Sequence, residues 1–298
     1  MVRNDGSVQF GLEPEGGIRL VGLSSDEVAW LAALDGNRDP TDSAGEARIS
    51  PGRVDVILTT LTREGVLLPP PEPGQTWRFH GRSFEHEVAG AGRAAEIGDA
   101  RAAVLARAQA CVRVLGRGAL ASTLADILRQ SGVGDVDRDP LDATSLRRRR
   151  RPTIVVLTTA GPLAEGSGEA WRARGIPHLP VTITPARVAV GPLVVPGRGP
   201  CLACLDRVRC DLDPSWVWLR EQAHAPDTVA EGESALTAVG AGLAARMALA
   251  HLDGYPVPVG VGFEVATPWP DPVARQWPAH PDCVACRPMT LRPVTMMA

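Results

Sequence analysis

The stretch "GPLVVPGRGPCLACLD" spans residues 191–206 and ends in a C-x-x-C pair, Cys201 and Cys204, just after a Gly-Pro turn. A second pair, Cys283 and Cys286, repeats the spacing in "HPDCVACRP" at 280–288. Two such knuckles supply the four soft ligands that tetrahedral zinc takes, and four thiolates leave no position open for a substrate. The residues therefore predict a structural zinc site joining segments about 80 residues apart. The competing reading is a redox pair of the thioredoxin kind, which follows a strand at a helix N-terminus and which the second pair does not resemble. Cys210 is a spare thiol, and Cys111 reads as part of a strand core.

Upstream of the first pair, strand and helix patterns alternate. "CVRVLG" from Cys111 is a buried-strand run, followed by the glycine-rich "GRGALAS" and the helical "TLADILRQSG". "VGDVDRDP", "TIVVLTTAGP", "HLPVTIT" and "ARVAVGPLVV" read as further strands, with a helix around "GEAWRARG". This alternation predicts a parallel, Rossmann-like sheet over residues 105–298. The helix "SALTAVGAGLAARMALAHLDG" (234–254) is apolar on most faces and is expected to be buried. Gly116 and Gly118 open a degenerate G-x-G-x-x-G with Ala121 at the third glycine, suited to a phosphate at a helix N-terminus. Asp135, Asp137 or Asp139 would then meet a ribose hydroxyl, with Asp137 the preferred candidate. Such a turn also serves simply to connect a strand to a helix.

The N-terminal part reads as a winged-helix-like α+β module over residues 1–68. "VQFGL" and "IRLVG" are short strands, and Ser24 with Glu27 forms a capping box opening a helix that should stop at Gly36. A second helix starts at Ser50-Pro51 and carries Val54, Ile57, Leu58 and Leu61 on one face. "VLLP" after Gly65 is expected to form a wing strand. The module has only Arg53 and Arg63 on its second helix, beside Asp55 and Glu64, which argues against DNA reading. It better suits an extended peptide taken up on a strand edge, with Val54, Ile57, Leu58, Leu61 and Val66 as the candidate peptide-binding region. Residues 69–104 form a proline-rich linker, "PPPEPGQ", and a connecting helix around "DARAAVLARAQ"; residues 77–108 suggest no role.

Composition sets the bounds. The chain has 298 residues and a formal net charge of -3, so its overall balance points to neither nucleic acid nor an anionic membrane. The Arg147–Arg151 run reads as a solvated loop, without the aromatic platforms that nucleic-acid binding uses. No apolar stretch is expected to span a bilayer, no signal-peptide pattern opens the chain, and a cytoplasmic location is the expectation. All 31 basic residues are arginine, which rules out a Walker A lysine or a lysine Schiff base.

Taken together, the glycine loop, the acidic strand, "GIPHLPVTITPARVAVGPLVVPGRGPCLACLD", the small-residue helix and "HPDCVACRP" resemble the ThiF-type fold of ubiquitin-activating-like adenylating enzymes. "LSSDEVAWLAALDG" and "VDVILTTLTREGVL" resemble the PqqD-like recognition element that binds leader peptides of ribosomally made peptides. The combination resembles the ThiF-like partner proteins of YcaO cyclodehydratases. It implies a scaffold that captures a precursor leader and delivers it to a separate YcaO enzyme for ATP-dependent azoline formation, with a homodimer as one possible assembly. The alternative it implies is a divergent adenylating enzyme. Active members carry a full glycine motif, a serine-asparagine-leucine segment, a phosphate-contacting lysine and an aspartate after the third strand. Here Ala121, "DATSLRRRRRP", the lack of lysine and "VVLTTAGP" stand instead. Phosphoryl chemistry runs on positioned charge and metal, so the expectation is a pseudoenzyme with no catalytic residue and no bound ATP.

Overall fold

The computed structural model describes residues 1–12, 17–34, 39–67, 82–92, 100–139, 150–223, 229–269 and 271–286. Gly36, Leu68, the proline linker 69–75 and Arg147–Arg149 lie outside the described residues. The chain divides into two compact units, Met1–Arg101 and Ala102–Ala298.

In the first unit, β1 (Val8–Phe10) and β2 (Ile18–Leu20) form an antiparallel pair. Helix α1 (Ser25–Ala33) opens on the expected capping box, with both reciprocal bonds between Ser24 and Glu27 present. α2 (Pro40–Glu46) went unpredicted, although Asp39 caps it and Pro40 takes its first position, the usual start signal. α3 (Pro51–Arg63) follows Ser50. Trp30 and Leu31 from α1, Ala44 from α2 and Val54, Ile57 and Leu61 from α3 close the core over Val8. The expected wing does not form over its described residues. The N–H groups of Val66 and Leu67 both donate to Leu61 O, finishing α3 instead of entering a ladder. α4 (Arg82–Gly92) falls in the stretch for which the sequence suggested no role.

The second unit begins within α5 (Ala100–Ala106), whose last turn tightens over Arg107–Gln109. Its strands are β3 (Cys111–Leu115), β4 (Asp135–Asp139), β5 (Ile154–Ala160), β6 (His178–Thr184), β7 (Arg187–Val190), β8 (Val261–Ala266) and β9 (Val273–Gln276). They form one mixed sheet in the order β4-β3-β5-β6-β7-β8-β9. The first four strands run parallel, joined through α6 (Ala119–Gln130) and α7 (Glu169–Ala173). From β6 onward every pairing is antiparallel, so the expected all-parallel sheet holds for one half only. The two-residue turn at Pro185-Ala186 leaves no room for a crossover helix between β6 and β7, so they form a hairpin. α8 (Leu202–Leu212) and α9 (Trp216–Ala223) follow β7, and α10 (Ser234–Leu252) precedes β8.

The central strands present one apolar face. Val112, Val114, Val156, Val181, Ile183, Val188 and Val265 meet Leu124 and Leu128 of α6 and Ala241, Ala244 and Ala248 of α10. α10 is, by length and composition, long and apolar enough to cross a membrane, contrary to the sequence expectation. Here it packs on the sheet, its small residues allowing close approach. Opposite, Leu115, Val155 and Leu157 pack on Trp171 of α7 and on Ile176 shortly after it.

Candidate functional site

The four paired cysteines converge. Cys201 sits at the N-cap of α8, so the helix presents Cys204 one turn on, and Cys283 and Cys286 arrive from the chain after β9. Their sulfurs all lie within 4.8 Å of one another. Cys201–Cys283 is 3.6 Å, Cys204–Cys286 3.5 Å and Cys201–Cys204 3.9 Å. A tetrahedron of ~2.3 Å metal–thiolate bonds has edges of about 3.8 Å. The set therefore fits a metal ion and could bind one. Burial pushes the Cys201 and Cys286 thiols up. Burial acts upward on Cys204 too, but the backbone hydrogen bonds at His280 and Cys201 and those to the Cys283 and Cys286 sulfurs together outweigh it and bring that thiol down.

Two further clasps hold the same C-terminal segment to α8. The Arg209 guanidinium lies between the Trp216 and Trp277 rings, 5.0 and 4.9 Å from their centroids. His280 Nε2 is 2.9 Å from Asp211 Oδ2. Burial draws Arg209 below the usual guanidinium value, with Asp206 opposing that shift.

At the glycine loop the backbone is left-handed, with φ of 128° at Gly116 and 104° at Gly118. A Cβ at Gly116 would lie 2.1 Å from Thr158 Oγ1, and one at Gly118 2.5 Å from Val229 Cγ1. Ala230 N–H donates to Arg117 O at 2.8 Å, and its carbonyl accepts the Leu120 N–H at 3.5 Å. The space left by the glycines is thus taken up by the chain itself. Asp137 lies on β4 with its carboxylate 3.8 Å from the buried Arg113 guanidinium, and Asp139 is 4.0 Å from it. At the end of β5, Thr158 Oγ1 donates to Leu115 O, and Thr159 and Ala160 stand where a metal-binding carboxylate would be sought. Arg150 and Arg151 of the arginine run donate to the carbonyls of Gln109 and Arg174.

Of the candidate peptide-binding residues, Val54, Ile57 and Leu61 are buried in the core of their own unit and so are not open to a peptide. Leu58 and Val66 are half-buried. The exposed features of this unit are elsewhere. β2 pairs with β1 alone among the described strands, and Val21 and Val56 are exposed. Arg53 Nη2 donates to Gly22 O at 2.7 Å, holding the first turn of α3 beside the end of β2. Gln9 uses its N–H and C=O toward Met1, so the Gln9–Arg19 pair is a non-hydrogen-bonded one and the Arg19 backbone points to the outer edge.

Sequence reasoning missed a cavity of about 790 Å³ over the second face of the antiparallel half-sheet. Pro180, Thr182, Thr184, Ala189, Arg187 and Glu264 face it, with α8 and α9 on the far side and Cys210 in its wall. The signal was present in "HLPVTIT", where apolar residues alternate with small or polar ones. His178 borders it, fully buried, with Nδ1 3.0 Å from Ile176 O and burial holding the imidazole below its usual pKa.

No protein-family model matches the chain, and no curated protein matches it. Solved structures do. The E. coli enzyme MccB superposes with a TM-score of 0.60 at 15% identity over 96% of each chain. The microcin C7 biosynthetic enzyme MccB in complex with N-formylated MccA gives 0.59 at 14% identity, over 94% of this chain and 97% of that one. PaaA gives 0.63 at 13% identity, over 93% and 97%. At these identities the likeness concerns the fold, and the fold of this chain is ThiF-like.

Proposed function

We propose that the chain is a leader-peptide-binding scaffold of ribosomal peptide modification, acting in the cytoplasm and handing its cargo to a separate YcaO-type cyclodehydratase. The observation that carries this reading is the outer edge of β2 beside α3. An extended peptide can add there as a further strand, its backbone bonding to Arg19 and its side chains reaching Val21 and Val56. Tethering then raises the concentration of the modifiable segment near the partner's active site without any chemistry on this chain. The ThiF-like unit supplies the scaffold, and the four cysteines hold a structural zinc ion that closes its far end.

The rival reading is a divergent adenylating enzyme, favoured by one observation: MccB, with the same fold, has been solved with ATP. Against it stand the lack of lysine, Thr159 and Ala160 at the end of β5, and Val229–Ala230 filling the space beside Gly118. Arg117 would have to serve as phosphate clamp and Cys210 as acyl acceptor.

Fluorescence anisotropy with labelled candidate leader peptides tests the proposal. Arg19→Pro removes one outward N–H at an edge position that tolerates proline, and should weaken binding several-fold to about tenfold. Unchanged affinity in that variant would place the peptide elsewhere and overturn the β2 assignment.

A further inference from the structure

Four sulfurs held this closely can do something besides bind a metal. Cys201 and Cys283 are 3.6 Å apart and Cys204 and Cys286 3.5 Å, and each of these pairs links α8 to the segment after β9. Within the α8 knuckle, Cys201 and Cys204 are farther apart, at 3.9 Å. A disulfide is ~2.05 Å long, so either cross-segment pair has about 1.5 Å to close, which side-chain rotation covers.

The backbone is already positioned for that closure. The Trp277 ring against Arg209 and the His280–Asp211 contact hold the two segments together independently of the sulfurs. An oxidant also has a way in. Cys286 is only half-buried, its neighbour Val284 is 76% exposed, and Cys201 borders the large cavity.

We infer that the cysteine cluster is also a thiol-oxidation site, which a hydroperoxide converts into two cross-segment disulfides, Cys201–Cys283 and Cys204–Cys286. In each step two thiolates give two electrons to one hydroperoxide. A sulfur–sulfur bond forms, the oxygen–oxygen bond breaks, and two protons from solvent complete an alcohol and a water molecule. No thiolate then remains to hold a metal ion, yet the segment stays fastened to α8. Pairing within each C-x-x-C would instead close two short loops and release the segment. In a reducing compartment the cross-links last only while oxidant does. The inference rests on the sulfur geometry and is independent of the leader-binding reading.

Oxidation of the full chain with tert-butyl hydroperoxide, then trypsin digestion without reductant, tests it. Trypsin frees Gly199–Arg207 and a peptide beginning at Gln276, each carrying one cysteine pair. The two peptides should appear joined by two bridges, and fragmentation between the cysteines should assign the partners Cys201–Cys283 and Cys204–Cys286. Zinc-loaded and zinc-free chains should give the same bridges. Limited cleavage at Arg275 in the oxidised chain should be about tenfold slower than in the reduced, chelated chain. Separate peptides with internal bridges, a Cys201–Cys286 bridge, or cysteines left unchanged by excess oxidant would overturn the inference.

Discussion

The side chains of Arg107 and Asp253 are both about 1% exposed and form a two-bond ion pair, Nε to Oδ1 at 2.6 Å and Nη2 to Oδ2 at 2.7 Å. Arg107 also donates to Ser131 O, so one guanidinium ties the entry to β3 to the ends of α6 and α10. Removing one partner strands a buried charge, so Asp253→Ala should cost about 3–5 kcal/mol in urea denaturation of the ThiF-like unit. His178 and His251 act in the same unit through their protons. Burial holds both below their usual values; Arg172 adds to this at His178, where Glu169 and the Ile176 carbonyl oppose it, and Arg198 adds to it at His251. The unfolded chain therefore binds more protons than the folded one as pH falls through about 6.5. Stability from this source is complete above that pH and declines below it. Melting temperature should drop between neutral and mildly acid buffer, and His251→Gln should flatten the slope.

At the scale of elements, the cysteine cluster packs in its own small group with Val194, apart from the main core under α6 and α10. Loss of the ion should therefore loosen the segment after β9 without unfolding the sheet. Chelation should speed tryptic cleavage at Arg275 while the far-UV circular dichroism is largely kept. Collapse of the whole unit on chelation would mean that the cluster carries more of the fold than its packing indicates. The elements that sequence made legible are those with local signals: the Ser24–Glu27 box, Pro51 at the start of α3, and the apolar runs of β3 and β5. The cysteine spacing likewise announced the convergence of all four residues. What stayed hidden depends on distant partners. β9 is exposed along its length and shows no apolar pattern, and the wing failed because Leu61 O captured its backbone donors. Val54, Ile57 and Leu61 share one helical face, as periodicity predicts, but periodicity does not tell a core face from a binding face.

For the whole molecule, the fold is shared with MccB at 15% identity, and in this chain the sheet runs β4-β3-β5-β6-β7-β8-β9 with a left-handed glycine turn at Gly116 and Gly118. Around that turn the chain packs on itself: Val229 and Ala230 against Gly118, Thr158 against Gly116. The central claim is binding without catalysis. ATP–pyrophosphate exchange, measured with the isolated chain saturated with a leader peptide that it binds, tests this most directly. The account predicts exchange no faster than a protein-free blank while anisotropy reports the peptide bound. Robust exchange that depends on the peptide would contradict it and make the chain an adenylating enzyme.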